Sequence, residues 1–421
     1  MSLTNETHGL WEKTAISAPL TARLQAHLQV DVAVIGGGIT GLSAALHLAE
    51  KGAKVVVLEA QQFGYGGSGR NAGLVNPGMW VQPEVVCAEL GEEAGERLLS
   101  VLGEAPSLVF DLISRHGIDC EAVRNGTLQC AVGRSGLHEI QQREEQWKRR
   151  GAPVRLLDAA ETANRTGSTQ FTGALLDERA GTIQPLSYVR GLARAAISKG
   201  ASLFSESAVL DIKREFNCWK IRTETGTILA DWVVASTNAY SDSLLSSLKR
   251  EIIPLYYFQF ATSPLPDEIR RHILTNREGL ICTRSVVTSL RADAAGRLIF
   301  GSVGALRNIG SAVHRAYARR SLGRMFPMLR DVKFEAEWFG TIAATTNSLP
   351  RYHELDRQVI SFHGYNGRGI GTGTVFGRIM ANRILDPKQD MPLAATDPER
   401  PLFRGVRSGY YEAGSVLAHL F

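Results

Sequence analysis

Apolar residues along this 421-residue chain follow two rhythms that change places several times. Asp31-Val32-Ala33-Val34-Ile35 and Lys54-Val55-Val56-Val57-Leu58 are short, nearly unbroken apolar runs, the texture of parallel strands buried on both faces. Between them Leu42, Ala45, Leu46 and Ala49 recur at helical spacing. Residues 83–116 continue the helical rhythm with Pro106 as an interruption, and a polar helix is predicted over 137–150. A strand is predicted at 127–132, a helix at 186–199 with Gly200 as its C-cap, and a meander over 208–230. Trp232 opens a buried strand that closes on small and polar residues up to Tyr240. Residues 254–304 are strand-rich, 316–326 are helical, and a last helix is predicted over 375–385. This order predicts an α/β chain that leaves its first domain and re-enters it twice.

The first turn carries chemistry. Gly36-Gly37-Gly38-Ile39-Thr40-Gly41 satisfies G-x-G-x-x-G at a strand-to-helix junction. Glycines there permit a tight turn, close backbone approach to a pyrophosphate and close helix–strand packing. The helix start adds N–H groups and partial positive charge. Glu59 ends the second strand, where a carboxylate can accept both ribose hydroxyls. Strand, loop, helix, strand and acid in this order predict a bound dinucleotide. Residues 64–73 follow with five glycines in ten positions, too many for a good helix. Such a loop can wrap its backbone around an extended polar ligand, with Ser68 and Arg70 as donors. Near the other end Gly367, Gly369, Gly371 and Gly373 alternate just before the last helix, which aims N–H groups at whatever precedes it.

Composition narrows the partners. Hydrophobic content of 44% and charged content of 21% are ordinary for a globular chain, and the length holds two or three cores. Net charge is a modest +5, and the densest charge run, 141–150, mixes signs like a solvated helix face, so no nucleic acid is expected. Five widely spaced cysteines without a C-x-x-C pair fit neither a disulfide framework nor a zinc site, and no metal is expected. The cysteines and a polar N-terminus without a signal-peptide core predict a cytoplasmic protein. Residues 32–49 carry no formal charge, yet their glycines and strand-to-helix break make them a cofactor turn, so no stable membrane insertion is expected. The sequence leaves the oligomeric state open.

The fingerprint, the loop Ser68-Gly69-Arg70-Asn71-Ala72-Gly73 and the segment Gly364-Tyr365-Asn366-Gly367-Arg368-Gly369 occur in one order across about residues 28–385. In this the chain resembles the FAD-dependent D-amino-acid oxidase superfamily, most of all its gamma-glutamylputrescine oxidase branch, near L-pipecolate and sarcosine oxidases. The resemblance implies a Rossmann-like FAD-binding domain of glutathione-reductase type, interleaved with an α+β substrate domain on an antiparallel sheet. On that scheme residues 1–90, 182–248 and 335–386 form the FAD-binding domain. Residues 91–181 and 249–334 form the substrate domain, and 387–421 a C-terminal tail. FAD would be held by Gly36, Gly38, Ile39, Thr40, Gly41, Glu59 and Ala60, then by Ser68, Gly69, Arg70, Asn71, Ala72, Gly73 and Leu74. Val209, Thr237, Asn238, Trp338, Gly340, Gly367, Arg368, Gly369 and Ile370 complete the implied set. Sarcosine-oxidase relatives attach flavin through a cysteine near residue 340, but here none lies beyond Cys282, which implies non-covalent FAD.

The implied activity is oxidation of a carbon–nitrogen bond of an amine or secondary amino acid to an imine, by hydride transfer to flavin. Dioxygen would be the acceptor, giving hydrogen peroxide. The alternatives are an amino-acid dehydrogenase serving a quinone or carrier, and a non-catalytic flavoprotein. The lysine with which relatives speed the reaction with dioxygen has no counterpart between Lys249 and Lys333. Substrate-facing candidates are Tyr365, His363, Trp338, Tyr257, Gln259, Arg284 and Arg291, with Arg291 as a bidentate carboxylate clamp. Ser289 and Leu290 stand where gamma-glutamylputrescine oxidases carry an aromatic pair, which favours a smaller or cyclic amino acid.

Overall fold

Two eight-stranded sheets organise the chain in a computed structural model that describes residues 8–242 and 244–420. The first centres on His27–Ile35, flanked in parallel by Thr227–Ala235 and Val55–Leu58. Ser202–Phe204 and Val359–His363 extend it in parallel on either side, and Arg351–Asp356 closes one edge antiparallel. The predicted meander is present as Asp211–Glu215 and Cys218–Arg222 turning into Thr227–Ala235. Val32–Ile35 and Val55–Leu58 are apolar throughout because both faces are covered. Helices Ile39–Ala49, Pro185–Ser198 and Gly369–Leu385 build the core on one face, and Trp219, Ile221 and Ile228 cover the other. The two glycine-led helices sit close because Gly377 has no Cβ: one there would lie 2.5 Å from the Thr40 carbonyl oxygen. Ser43 Oγ donates to the Thr374 carbonyl at 2.7 Å across the same contact.

The second sheet runs in the order Phe334–Ala344, Ile253–Thr262, Leu298–Val303, Thr288–Ala292, Gly279–Cys282, Thr127–Ala131, Gly173–Asp177, Val154–Leu157. Only Gly279–Cys282 and Thr127–Ala131 pair in parallel. Phe258, Phe260 and Phe300 on one face bury against Tyr317 and Leu322 of helix Ile309–Met325. Tyr257, Gln259, Ser289 and Gly301 alternate onto the other face, which looks into a cavity.

Several expectations need correction. Residues 335–344, assigned above to the FAD-binding domain, belong to strand Phe334–Ala344, which pairs along Ile253–Thr262 in the second sheet. Residues 83–116 form three helices, broken at Gly91 and Glu104. Pro106 sits in the first turn of Ala105–His116, where its missing N–H leaves nothing unpaired. The glycine-rich loop holds one helical turn, Gly67–Arg70, despite its composition. Asn71 Nδ2 donates to the Gly67 and Ser68 carbonyls and so closes that turn. The tail ends in helix Arg404–Ala418, docked on Ile253–Thr262. Among the described residues no helix is long and apolar enough to cross a membrane.

Candidate active site

A cavity of about 1080 Å³ lies between the sheets and takes its walls from both. The G-x-G-x-x-G turn forms one part. Gly36 has φ +106°, which only glycine adopts without strain, and a Cβ on Gly41 would lie 2.1 Å from the Gly36 carbonyl oxygen. The Glu59 carboxylate accepts from the Gly37 N–H at 2.7 Å and the Gln61 N–H at 2.9 Å. Burial raises its pKa, and these N–H groups pull it back. Ser68 Oγ accepts from the Ile39 N–H at 3.1 Å, fixing the second loop against the helix start. Gly36, Gly38, Ile39, Thr40, Glu59, Ala60, Ser68, Asn71, Ala72 and Leu74 all line the cavity. So do Val209, Thr237, Asn238 and the run from Gly367 to Ile370.

Other expected residues stand behind the wall. Gly41 and Gly69 are packing positions, the second with its missing Cβ facing the Gly64 carbonyl. Gly73 (φ +76°) turns tightly against Ile183, whose N–H donates to the Gly73 carbonyl at 2.8 Å. Arg70 is 1% exposed, with its guanidinium 4.6 Å from the Tyr65 ring centre. Trp338 is a pillar: its Nε1–H donates to the Arg70 carbonyl at 2.8 Å and its ring meets Trp11 edge-on. Gly340 makes room for Tyr257, whose hydroxyl lies 2.4 Å from where a Cβ would be. Arg284 is off this lining and borders a small separate pocket beside Cys282.

Two of the catalytic candidates also lie off the cavity. Arg291 is not in the cavity lining; its guanidinium donates to the Ile183 carbonyl and lies 4.0 Å from Glu121. His363 is 1% exposed, beside Glu251 and His353, and also lies off the cavity. Tyr365 does line the cavity, but its hydroxyl donates to the Phe362 carbonyl and meets Thr40 Oγ1, so it is an anchor.

Among the residues that face the cavity from the second sheet are Tyr257 and Gln259. The Tyr257 hydroxyl and Gln259 Oε1 are buried with no hydrogen-bond partner. Burial pushes the Tyr257 phenol well above its ordinary range, so it stays neutral. Arg368, expected above among the residues that hold FAD, also lines the cavity. It is 9% exposed and stacks 4.6 Å from the Trp80 ring centre. Its side chain has no carboxylate or hydrogen-bond partner among the described residues. Burial first and then the neighbouring Arg143 push its pKa down, and Asp177 offsets this only in part. Arg143 positions the stack, because its guanidinium donates to the Trp80 carbonyl at 2.6 Å. Sequence reasoning missed Trp80, which belongs to no motif, and Tyr410 and Tyr411, which the C-terminal helix brings to the cavity. Among the described lining residues there is no lysine, histidine or cysteine.

The family model for FAD dependent oxidoreductases matches residues 31–383. The chain belongs to this FAD-dependent oxidoreductase family. Gamma-glutamylputrescine oxidoreductase of Escherichia coli (strain K12) is 30% identical over 395 residues, 91% of this chain and 90% of the relative. The probable oxidoreductase OrdL of Haemophilus influenzae is 30% identical over 396 residues, 93% and 89% of the two chains. Glycine oxidase from Geobacillus kaustophilus has a similar fold (TM-score 0.71, 20% identity, 89% of this chain and 100% of that one). L-proline dehydrogenase from P. horikoshii is alike in fold (TM-score 0.72, 20% identity, 92% and 99%). The site suits the family's cofactor. A Cβ-free glycine turn faces the cavity, an acceptor carboxylate stands beyond it, and the second sheet offers polar groups that lack partners.

Proposed function

We propose that the chain oxidises the carbon–nitrogen bond of a small amine that also carries a carboxylate. The observation that carries this reading is Arg368, a buried cation in the cavity wall that makes no direct ion pair among the described residues. An anion bound against it relieves the cost of burying that charge. The Trp80 face beneath leaves the guanidinium edge as the donor surface for two carboxylate oxygens.

FAD, when bound, supplies the acceptor for the hydride leaving the substrate carbon. The chain's own work is positional. The amine must arrive uncharged, since an ammonium has no lone pair to push the hydride out. The described lining holds no lysine or histidine, and of its carboxylates Glu59 is engaged by backbone N–H groups at the glycine turn. Tyr257 and Gln259 Oε1 can accept N–H bonds from a neutral amine, which orients its lone pair and the neighbouring C–H. No cysteine is among the described lining residues, and FAD is proposed to be held without a covalent link. Dioxygen is the proposed acceptor, and hydrogen peroxide the product.

Comparing an amino acid with the amine that lacks only its carboxylate tests the substrate class. A preference of roughly tenfold or more for the acid in kcat/KM is expected from one charge-assisted pair. Equal values would overturn the role of Arg368. The absent lysine favours a second reading, a dehydrogenase serving another carrier. Stoichiometric peroxide under air supports the first, and turnover only with an added quinone supports the second.

A further inference from the structure

We propose that Glu251, His353 and His363 form a binding site for a divalent transition-metal ion, distinct from the flavin cavity. Glu251 ends helix Ser246–Glu251, and the histidines come from the paired strands Arg351–Asp356 and Val359–His363 at the edge of the first sheet. All three are buried, at 2%, 0% and 1% exposure, and none lines the cavity. Glu251 Oε2 lies 2.7 Å from His353 Nε2 and 2.8 Å from His363 Nε2, and the three atoms lie within 4.8 Å of one another. Two imidazoles and one carboxylate suit zinc and its neighbours better than magnesium or calcium, which prefer all-oxygen sites.

Two details point to a cation and not to hydrogen bonds alone. His353 Nδ1 abuts the Thr396 carbonyl oxygen, which can only accept. That places the proton on Nδ1, so a neutral His353 presents a lone pair at Nε2. Metal-binding histidines are oriented in this way, with the other ring N–H on a backbone carbonyl. The second detail is His363. Its Nε2 makes no hydrogen bond although the carboxylate oxygen is 2.8 Å away, because the ring does not aim at that oxygen. Nδ1 of the same ring is also without a partner. A proton-only cluster therefore needs a second proton between His353 Nε2 and Glu251 Oε2 and leaves both nitrogens of His363 without a hydrogen bond. A cation between the rings takes both lone pairs and Oε2 at once.

The geometry asks for a small adjustment. A tetrahedral ion with bonds of about 2.0–2.1 Å sets its ligand atoms about 3.3 Å apart, so the carboxylate must retreat by about half an ångström. Rotation about its terminal torsion, a soft one, provides that. Arg351, 3.8 Å from Glu251 Oε1, is itself faced by Glu399 at 3.8 Å, which balances its charge. The ion would brace the C-terminal segment, since Thr396 touches His353 and the Glu399 N–H donates to Glu251 Oε1 at 3.2 Å. That segment leads into the helix whose Tyr410 and Tyr411 line the cavity.

The test uses untagged, FAD-loaded protein, stripped with a chelator and dialysed against Zn²⁺, with bound metal counted by elemental analysis. Stoichiometric Zn²⁺ is expected in the parent. His353→Ala and His363→Ala should each weaken it by at least roughly 100-fold, since even groups that merely orient a ligand are worth about 10- to 100-fold. No stoichiometric uptake by the parent, or equal uptake by both variants, overturns the proposal. Should a variant fail to fold, the parent alone decides: Zn²⁺ must slow tryptic cleavage at Lys388 and Arg404, which flank Thr396 and Glu399. Cleavage at an unchanged rate overturns it.

Discussion

The Tyr365 hydroxyl lies 3.0 Å from Thr40 Oγ1 and thereby joins the N-terminal glycine turn to the C-terminal one, 325 positions away. Its proton goes to the Phe362 carbonyl at 2.9 Å. Both partners are buried, so the phenol is committed to the fold. Tyr365→Phe should cost about 1–3 kcal/mol of stability, the desolvation of polar groups left unpaired. Turnover of the folded variant should stay within a few-fold of the parent. Urea denaturation beside steady-state kinetics checks this; a collapse of kcat at full stability would contradict it.

Arg368 and Arg291 can be separated by one comparison. Arg368→Met removes the charge facing the cavity while keeping a long apolar side chain over Trp80. Its KM for a carboxylate-bearing amine should rise roughly 10- to 150-fold, the worth of about 1.5–3 kcal/mol for a hydrogen bond to a charged group. FAD affinity should change little. Arg291→Met should instead lower thermal stability, because Arg291 is 1% exposed and bonded to the Ile183 carbonyl. The reverse pattern would return the clamp to Arg291.

Glu59 should split binding from folding. Burial raises its carboxyl in the folded protein, against the pull of the Gln61 and Gly37 N–H groups. A carboxylate with a raised folded-state pKa costs stability above that pKa, and the cost fades as pH falls through the carboxyl range. Glu59→Gln should therefore leave the FAD-free protein about as stable at pH 7, while weakening FAD by roughly tenfold or more through the lost anionic acceptor. Fluorescence titration with FAD and a thermal melt without it read the two effects separately.

The C-terminal helix is held by Arg307, whose Nε and Nη2 donate to the two Glu412 oxygens at 2.8 and 2.5 Å. Arg307 holds the Glu412 carboxyl below its ordinary range. A depressed folded-state pKa adds stability above the unfolded value of about 4.3, which is lost as pH falls through the folded value. Acidification below about pH 4.3 should therefore loosen residues 404–418 and open the cavity beside Tyr410. Hydrogen exchange of that helix, corrected for intrinsic rates, should show the effect in the parent and not in Glu412→Gln.

Much of the nucleotide end was legible because its signals are local. Gly36, Gly41 and Glu59 are specified by turn geometry and strand ends within one supersecondary unit. The substrate end was not, because it is made by juxtaposition. Trp80 becomes part of the site only because Arg143 holds its carbonyl, and Gly367 leaves room for its ring, 2.9 Å from where a Cβ would be. Arg291 and Gln259 look alike as polar residues in strands, yet Arg291 packs against Ile183 and Gln259 faces the cavity. Nor does any spacing rule bring Glu251 to His353, 102 positions apart. The helical turn Gly67–Arg70 was missed for a different reason: Asn71 supplies hydrogen bonds that outweigh the poor propensity of glycine.

With FAD bound, this chain is proposed to oxidise a carboxylate-bearing amine beside Arg368. Anaerobic mixing of the purified yellow protein with sarcosine, proline, pipecolate, D-amino acids and gamma-glutamylputrescine, watching flavin absorbance, tests it most directly. At least one of these should bleach the flavin, and Arg368→Met should need a much higher concentration of the same compound. A protein that takes up no FAD, or a flavin bleached by dithionite but by none of the amines, would contradict it.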